Sequence, residues 1–215
     1  MVHNLSLQHS IVNQFVAEIR DVEIQKDRMR FRKNLERLGE IFAYEISKTL
    51  RYENKDVVTP LGISTVPVLS EQPIIGTILR AGLPLHNGIL NYFDQADNAF
   101  ISAYRRHHKD GTFDIKLEYV GSPSLQDREL ILCDPMIATG SSLVLTYKAL
   151  LERGLPKHTH IVCALASSIG VEQVKRNLPG NITIWAAAID EELTAQSYIV
   201  PGLGDAGDLA FGSKL

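Results

Sequence analysis

The nonapeptide Asp134-Pro135-Met136-Ile137-Ala138-Thr139-Gly140-Ser141-Ser142 lies between the apolar run Leu130-Ile131-Leu132-Cys133 and residues 143–151, which read as a helix. A strand, a turn and a helix are predicted. Small hydroxyl residues and a glycine opening a helix aim backbone N–H groups and hydroxyls at one point, where the helix dipole also favours negative charge. A phosphate monoester fits there. The carboxylate at the strand end, Asp134, would repel that phosphate and so is expected to accept hydrogen bonds from hydroxyls attached to it, as on a ribose. The loop reads as a cradle for ribose 5-phosphate.

The elements that must position this loop are legible as punctuation between apolar runs. Residues 73–79 read as a buried strand ending at Arg80-Ala81-Gly82-Leu83-Pro84, with a helix following through Ile89 and Leu90. Residues 161–166 and 182–189 give two further strands, and Gly154 and Pro156 supply stop signals after the helix that follows the loop. The first fifty residues read as helical, with Leu35, Leu38, Ile41, Phe42 and Ile46 at helical spacing. Between Ile101 and Val120, an Asp110-Gly111 turn and the alternation of Phe113, Ile115, Leu117 and Tyr119 with charged residues predict a β-hairpin. Such a hairpin packs on the sheet, pairs with another subunit or covers a site as a flap. The alternating order predicts a doubly wound, mostly parallel α/β sheet in a single domain spanning residues 1–215, with N-terminal helices and a hairpin flap. In such sheets ligands bind beyond the carboxyl ends of the strands, where Arg80 and Asp134 fall.

Composition narrows the function classes. With 215 residues and 45% apolar content the chain is long enough for one well-buried core. A net charge of −3 gives no global field for a polyanion. The basic run of Lys26, Arg28, Arg30, Arg32, Lys33 and Arg37 is expected to be a solvated helix face. No run of about 18 apolar residues and no leader pattern is read, so a cytoplasmic protein with no membrane partner is expected. Cys133 and Cys163 sit in apolar runs and are expected to be buried free thiols.

Near the C-terminus, Gly202, Gly204 and Gly207 satisfy G-x-G-x-x-G. A dinucleotide fingerprint needs a further helix, strand and acid, which the remaining residues to Leu215 do not provide, so that reading is rejected. A backbone this rich in glycine can instead approach a flat ligand and offer it N–H and C=O groups. A nucleobase edge suits it.

Three segments, Ile78-Leu79-Arg80-Ala81-Gly82, residues 134–142 and residues 198–208, together resemble the uracil phosphoribosyltransferase family. The likeness spans most of the chain, and the glycine-rich tail distinguishes it from phosphoribosyltransferases for other bases. Pro135 stands where many of the wider group carry a second acid, as in the uracil enzymes. The resemblance implies a type I phosphoribosyltransferase-like fold, in which uracil displaces diphosphate from 5-phospho-α-D-ribose 1-diphosphate (PRPP) to give UMP. It implies Mg2+ bound mainly through the substrate, with no protein metal site, and a homodimer or larger homo-oligomer; GTP as an effector is left open.

By the same resemblance, PRPP would contact Arg80, Arg105, Asp134, Pro135, Met136, Ile137, Ala138, Thr139, Gly140, Ser141, Ser142 and Asp205. Uracil would contact Ile199, Gly204, Asp205 and Ala206, mostly through backbone. Asp205 is the catalytic candidate, to accept the N1 proton or to stabilise positive charge on the ribose; its alternative role is to order the loop. Ser141 replaces a glycine common in relatives, and Pro84-Leu85-His86-Asn87 also departs from the commoner pattern, with His86 expected as a packed helix residue. His107 and His108 are read as surface residues. The alternatives are a phosphoribosyltransferase for another base and a pyrimidine-operon regulator that binds RNA through residues 26–37.

Overall fold

A computed structural model describes the backbone of residues 1–107 and 113–213. Side chains are described for all of these except 103–107 and 113–117. In chain order the strands are β1 (Val2–Asn4), β2 (Tyr52–Thr59), β3 (Gly62–Leu69), β4 (Ile74–Leu79), β5 (Asp97–His107), β6 (Phe113–Gly121), β7 (Glu129–Cys133), β8 (Met136–Ile137), β9 (His158–Ser167), β10 (Ile182–Asp190), β11 (Glu192–Leu193) and β12 (Ile199–Val200). The α-helices are α1 (Ile11–Arg20), α2 (Arg28–Ser47), α3 (Leu83–Leu90), α4 (Ser141–Leu150), α5 (Ser168–Asn177) and α6 (Ala206–Phe211).

Eight strands form one sheet in the order β1-β10-β9-β7-β4-β5-β6, with β8 paired to β9. Every pairing is parallel except that of β5 with β6. Alternate residues of each central strand feed opposite faces, as the period of two requires. From β7, Ile131 and Cys133 join the core under α1, α2 and α3, with Phe31, Leu35, Leu38 and Phe42. Leu130 and Leu132 join the core under α4 and α5, with Leu143, Tyr147 and Val171. The doubly wound expectation holds. Chain order reverses between β4 and β7, since β5 follows β4 on one side and β7 returns on the other. A crevice opens at such a switch point.

Several expectations need correction. The first fifty residues are not wholly helical: β1 pairs in parallel with β10, and His3 stacks on Trp185 with ring centroids 4.1 Å apart. The hairpin predicted for 101–120 starts earlier, at Asp97. Its first strand pairs with β4 only as far as Ser102 and then runs on past Leu79 with β6, beyond the carboxyl end of the sheet. Its Asp110-Gly111 turn lies outside the described residues. A second hairpin, β2–β3, had no counterpart in the sequence reading; it forms a separate two-stranded sheet.

The basic run is also not a bare solvated face. Arg32 donates to the Ala210 carbonyl at 2.7 Å and lies over the Phe211 ring, and Arg37 lies over Phe15. Lys26 and Lys33 do make exposed ion pairs, with Glu23 and Glu36.

Arg30 and its partner tie α1 to α2. Glu18 is almost fully buried, and its carboxylate accepts from Arg30 Nε and Nη2, both at 2.9 Å, from Gln14 at 3.0 Å and from Asn34 at 2.7 Å. Hydrogen bonds from Arg30 first, then from Gln14 and Asn34, hold its pKa down from 4.5 to about 2. Folding lowers this pKa, so the stability gained is complete above the unfolded value and is lost as pH falls through the folded one. Glu18→Gln should destabilise the protein at neutral pH by about 1–3 kcal/mol and flatten the acid limb of its stability. Urea melts between pH 7 and pH 2 check this; the same slope in both proteins would contradict it.

Candidate active site

The parallel register of β4 on β7 aligns Thr77 with Cys133, so the chain leaves both strands at the same edge. Arg80 emerges from one and Asp134 from the other. Pro135 is anchored at once, its carbonyl accepting from Ala164 at 3.1 Å and Leu165 at 3.0 Å, and β8 then pairs Met136 and Ile137 with Leu165 and Ala166. This pins the loop to β9 before it turns.

The turn itself is braced from behind by the start of α5. Buried Ser167 donates to the Ala138 carbonyl at 2.5 Å and accepts from Gly170 N–H at 2.8 Å. That carbonyl is thereby engaged from the α5 side. Gly140 has φ of 77°, and a Cβ there would stand 2.8 Å from the Gly170 carbonyl oxygen. Only glycine meets both demands. α4 starts immediately afterwards with Gly140 at its cap position, which offers no side-chain hydrogen bond; Ser141 N–H meets the Thr139 hydroxyl at 3.4 Å, and the N–H groups after it are the kind of donors that an anion can complete.

The third segment comes from the end of β10. After β11, a turn returns the chain through β12, which pairs antiparallel with β11 and not with the main sheet. The G-x-G-x-x-G spacing therefore does not follow a strand of the main sheet. It runs instead into α6, a short helix. Asp205 caps this helix, its Oδ1 accepting from Asp208 N–H at 3.0 Å. Asp205 thus orders the loop.

These segments meet around one cavity of about 590 Å³. Its wall includes Arg80, Asp134, Pro135, Met136, Ile137, Ala138, Thr139, Gly140 and Ser142, together with Ile199, Gly204, Asp205 and Ala206. Ser141 is not on the wall: its hydroxyl accepts from Thr139 at 3.2 Å and its N–H faces the Thr139 hydroxyl. Arg105 belongs to the part of β5 that runs past β4, and its side chain lies outside the described residues, as do those of His107 and His108. Sequence reading missed Gln196, Ser197 and Asp208 on the wall. The first two sit in the turn between two strands of two residues each, too short to carry a period.

Charge is arranged so that the cavity keeps both signs. Arg80 donates to Asp208 at 3.2 Å and to the Gly212 carbonyl at 3.1 Å, contacts open enough to solvent to be exchanged for a better acceptor. Beneath the loop, burial first and then the Asp134 charge push the Cys133 and Cys163 thiols up, so both stay protonated and inert. His86 is fully buried in α3 against Phe100, as expected for a packed helix residue. Among the described residues, no group of three or more His, Cys, Asp or Glu side chains is placed to hold a metal ion.

The family profile for uracil phosphoribosyltransferase matches residues 6–213. A uracil phosphoribosyltransferase of Porphyromonas gingivalis is 54% identical, covering 100% of this chain and 99% of its own. One of Pyrococcus furiosus is 37% identical over 95% of this chain and 87% of its own. Among solved structures, the AQ2163 protein of Aquifex aeolicus superposes with a TM-score of 0.88 at 28% identity, covering 100% of both chains. A turn that opens a helix, a glycine-rich segment lining the same cavity and similarity over the full length agree: the chain belongs to the uracil phosphoribosyltransferase family.

Proposed function

We propose that this chain, acting as one domain, joins uracil to PRPP, giving UMP and diphosphate. The observation that carries this is the meeting of the phosphate loop and the glycine-rich segment on one cavity wall. The bond from the anomeric carbon to the diphosphate oxygen breaks, a bond from that carbon to uracil N1 forms, and the N1 proton is released.

The 5-phosphate would rest on Thr139, Gly140 and Ser142 at the start of α4, with Ser141 acting within the turn. Asp134 would accept from the ribose hydroxyls and fix the anomeric carbon between its two partners. Arg80 would exchange Asp208 and the Gly212 carbonyl for diphosphate oxygens, which gain charge as the bond breaks, and Arg105 would join it from the hairpin. Magnesium, when bound, neutralises part of the charge on the departing diphosphate. The donor set suits an ion carried in on the substrate with much of its water shell, since Asp134, Asp205 and Asp208 are the carboxylates on the wall and no cluster holds it among the described residues. Asp205 is proposed to stabilise positive charge on the ribose or to take the N1 proton, beside its capping of α6.

Uracil would lie against Ile199, Gly204 and Ala206. A backbone N–H aimed at its O4 would be left facing the amino group of cytosine, costing ~1–3 kcal/mol. Regulation of an RNA is not favoured, because Arg30, Arg32 and Arg37 are engaged within the fold. No helix among the described residues is long and apolar enough to cross a membrane, and a cytoplasmic setting is proposed.

The β2–β3 hairpin supports a homodimer or larger assembly. It exposes Val58, Leu61 and Ile63 at 84%, 100% and 72%, an apolar tip that a second subunit would cover. Analytical ultracentrifugation should give a dimer or larger species that Leu61→Glu/Ile63→Glu shifts towards monomer. A wild-type monomer at micromolar concentration would contradict this.

Labelled uracil, cytosine, hypoxanthine and orotate, each with PRPP and magnesium, test the reaction. UMP should form from uracil alone, and GTP added to the same assay shows whether it raises turnover. Asp134→Asn should raise the KM for PRPP on the order of tenfold, about 1.4 kcal/mol, with uracil recognition largely retained. Unchanged donor kinetics would refute the ribose role.

A further inference from the structure

The residues that shape the base-facing wall include two that never reach it. Arg20 is the last residue of α1 and Asp190 the last of β10. Arg20 Nη2 donates to Asp190 Oδ1 at 2.7 Å and Nη1 to Oδ2 at 2.8 Å, a forked pair with side-chain exposures of only 21% and 8%. Both groups also bind the same glycine. Asp190 Oδ2 accepts from Gly202 N–H at 3.0 Å, and Arg20 Nη1 donates to the Gly202 carbonyl at 2.9 Å.

This arrangement fixes the two peptide planes on either side of Gly202. The residue has φ of 58°, and a Cβ would stand 2.0 Å from the Ile199 carbonyl oxygen, so the turn closes on itself at a point where only glycine fits. The next residue, Leu203, is buried in the core under α1 and α2. Gly204, Asp205 and Ala206 then enter the cavity wall. A wall that reads its ligand through backbone groups is only as selective as those peptides are well oriented, since a donor turned away from its acceptor forfeits the hydrogen bond.

We infer that Arg20 and Asp190 are positioning residues for base recognition: their ion pair, outside the cavity, holds the Gly202 turn and so the orientation of the Gly204–Ala206 backbone. This rests on the base-binding role proposed for that segment. A forked guanidinium is suited to the task, because it satisfies a carboxylate and a carbonyl at once, whereas an ammonium keeps the charge without the planar fork. The α4 turn has contacts of its own, from Ser167 to the Ala138 carbonyl and from β8 to β9, and it meets Asp190 only through the pairing of Ser167 with Asp190, so the larger effect should fall on uracil.

Steady-state kinetics on Arg20→Ala and Arg20→Lys test the inference. Arg20→Ala should raise the KM for uracil about tenfold or more, equivalent to about 1.4 kcal/mol, with the KM for PRPP within about twofold of wild type. Arg20→Lys should lie between. Should Arg20→Ala fail to fold, Arg20→Lys is read by the same split. Equal changes in both KM values, or a lower melting temperature with unchanged uracil KM, would overturn the positioning role. A wild-type enzyme that does not use uracil would instead overturn the base-site reading, so the two failures are distinguishable.

Discussion

Parallel pairing of β4 with β7 is the constraint on which the site depends. It brings two chain segments, remote in sequence, out of the sheet at one edge, where the reversal of chain order leaves a crevice. An antiparallel or slipped pairing would send Arg80 and Asp134 to opposite ends or turn their strands' apolar residues out of their cores. The two hydrophobic layers therefore fix the register, and the register fixes the site.

What the crevice does follows from where backbone donors are left unsatisfied. Ordinary helices satisfy their first N–H groups with a side-chain cap, as Ser10 does for α1 and Asp27 for α2. α4 has glycine at that position and no side-chain cap. Its turn is held from the α5 side, by the Ser167 hydroxyl on the Ala138 carbonyl and by the close approach of Gly140 to Gly170. The glycine-rich part of the wall is shaped in a comparable way, by Arg20 and Asp190 acting from outside. In both halves the groups that would meet the substrate are held in place by residues that do not touch it.

Most of the central sheet was legible because its strands are buried on both faces and read as continuous apolar runs, as in Leu130-Ile131-Leu132-Cys133. The turn between β7 and α4 was legible because its signal is local: nine consecutive residues carry it. The β2–β3 hairpin was not, because most of its residues are exposed and none is fully buried to impose alternation, although Pro60-Leu61-Gly62 is a turn signal in hindsight. Strand β1 is three residues long, too short for any period, and is held by pairing with β10 and by His3 on Trp185. The Arg20–Asp190 pair spans 170 residues, and nothing local marks either partner. Ser141 stands in the motif, and its hydroxyl accepts from Thr139 within the turn, a pairing two residues apart that the local spacing allows.

The central claim is that one molecule bridges the α4 turn and the glycine-rich wall. Titrating isotope-labelled protein with UMP while following backbone amide resonances tests it most directly. The account predicts that Gly140 and Ser142 shift together with Gly204 and Ala206 along a single binding curve, while ribose 5-phosphate shifts only the first pair. Movement of one pair alone under UMP, or of the two pairs with different affinities, would contradict it.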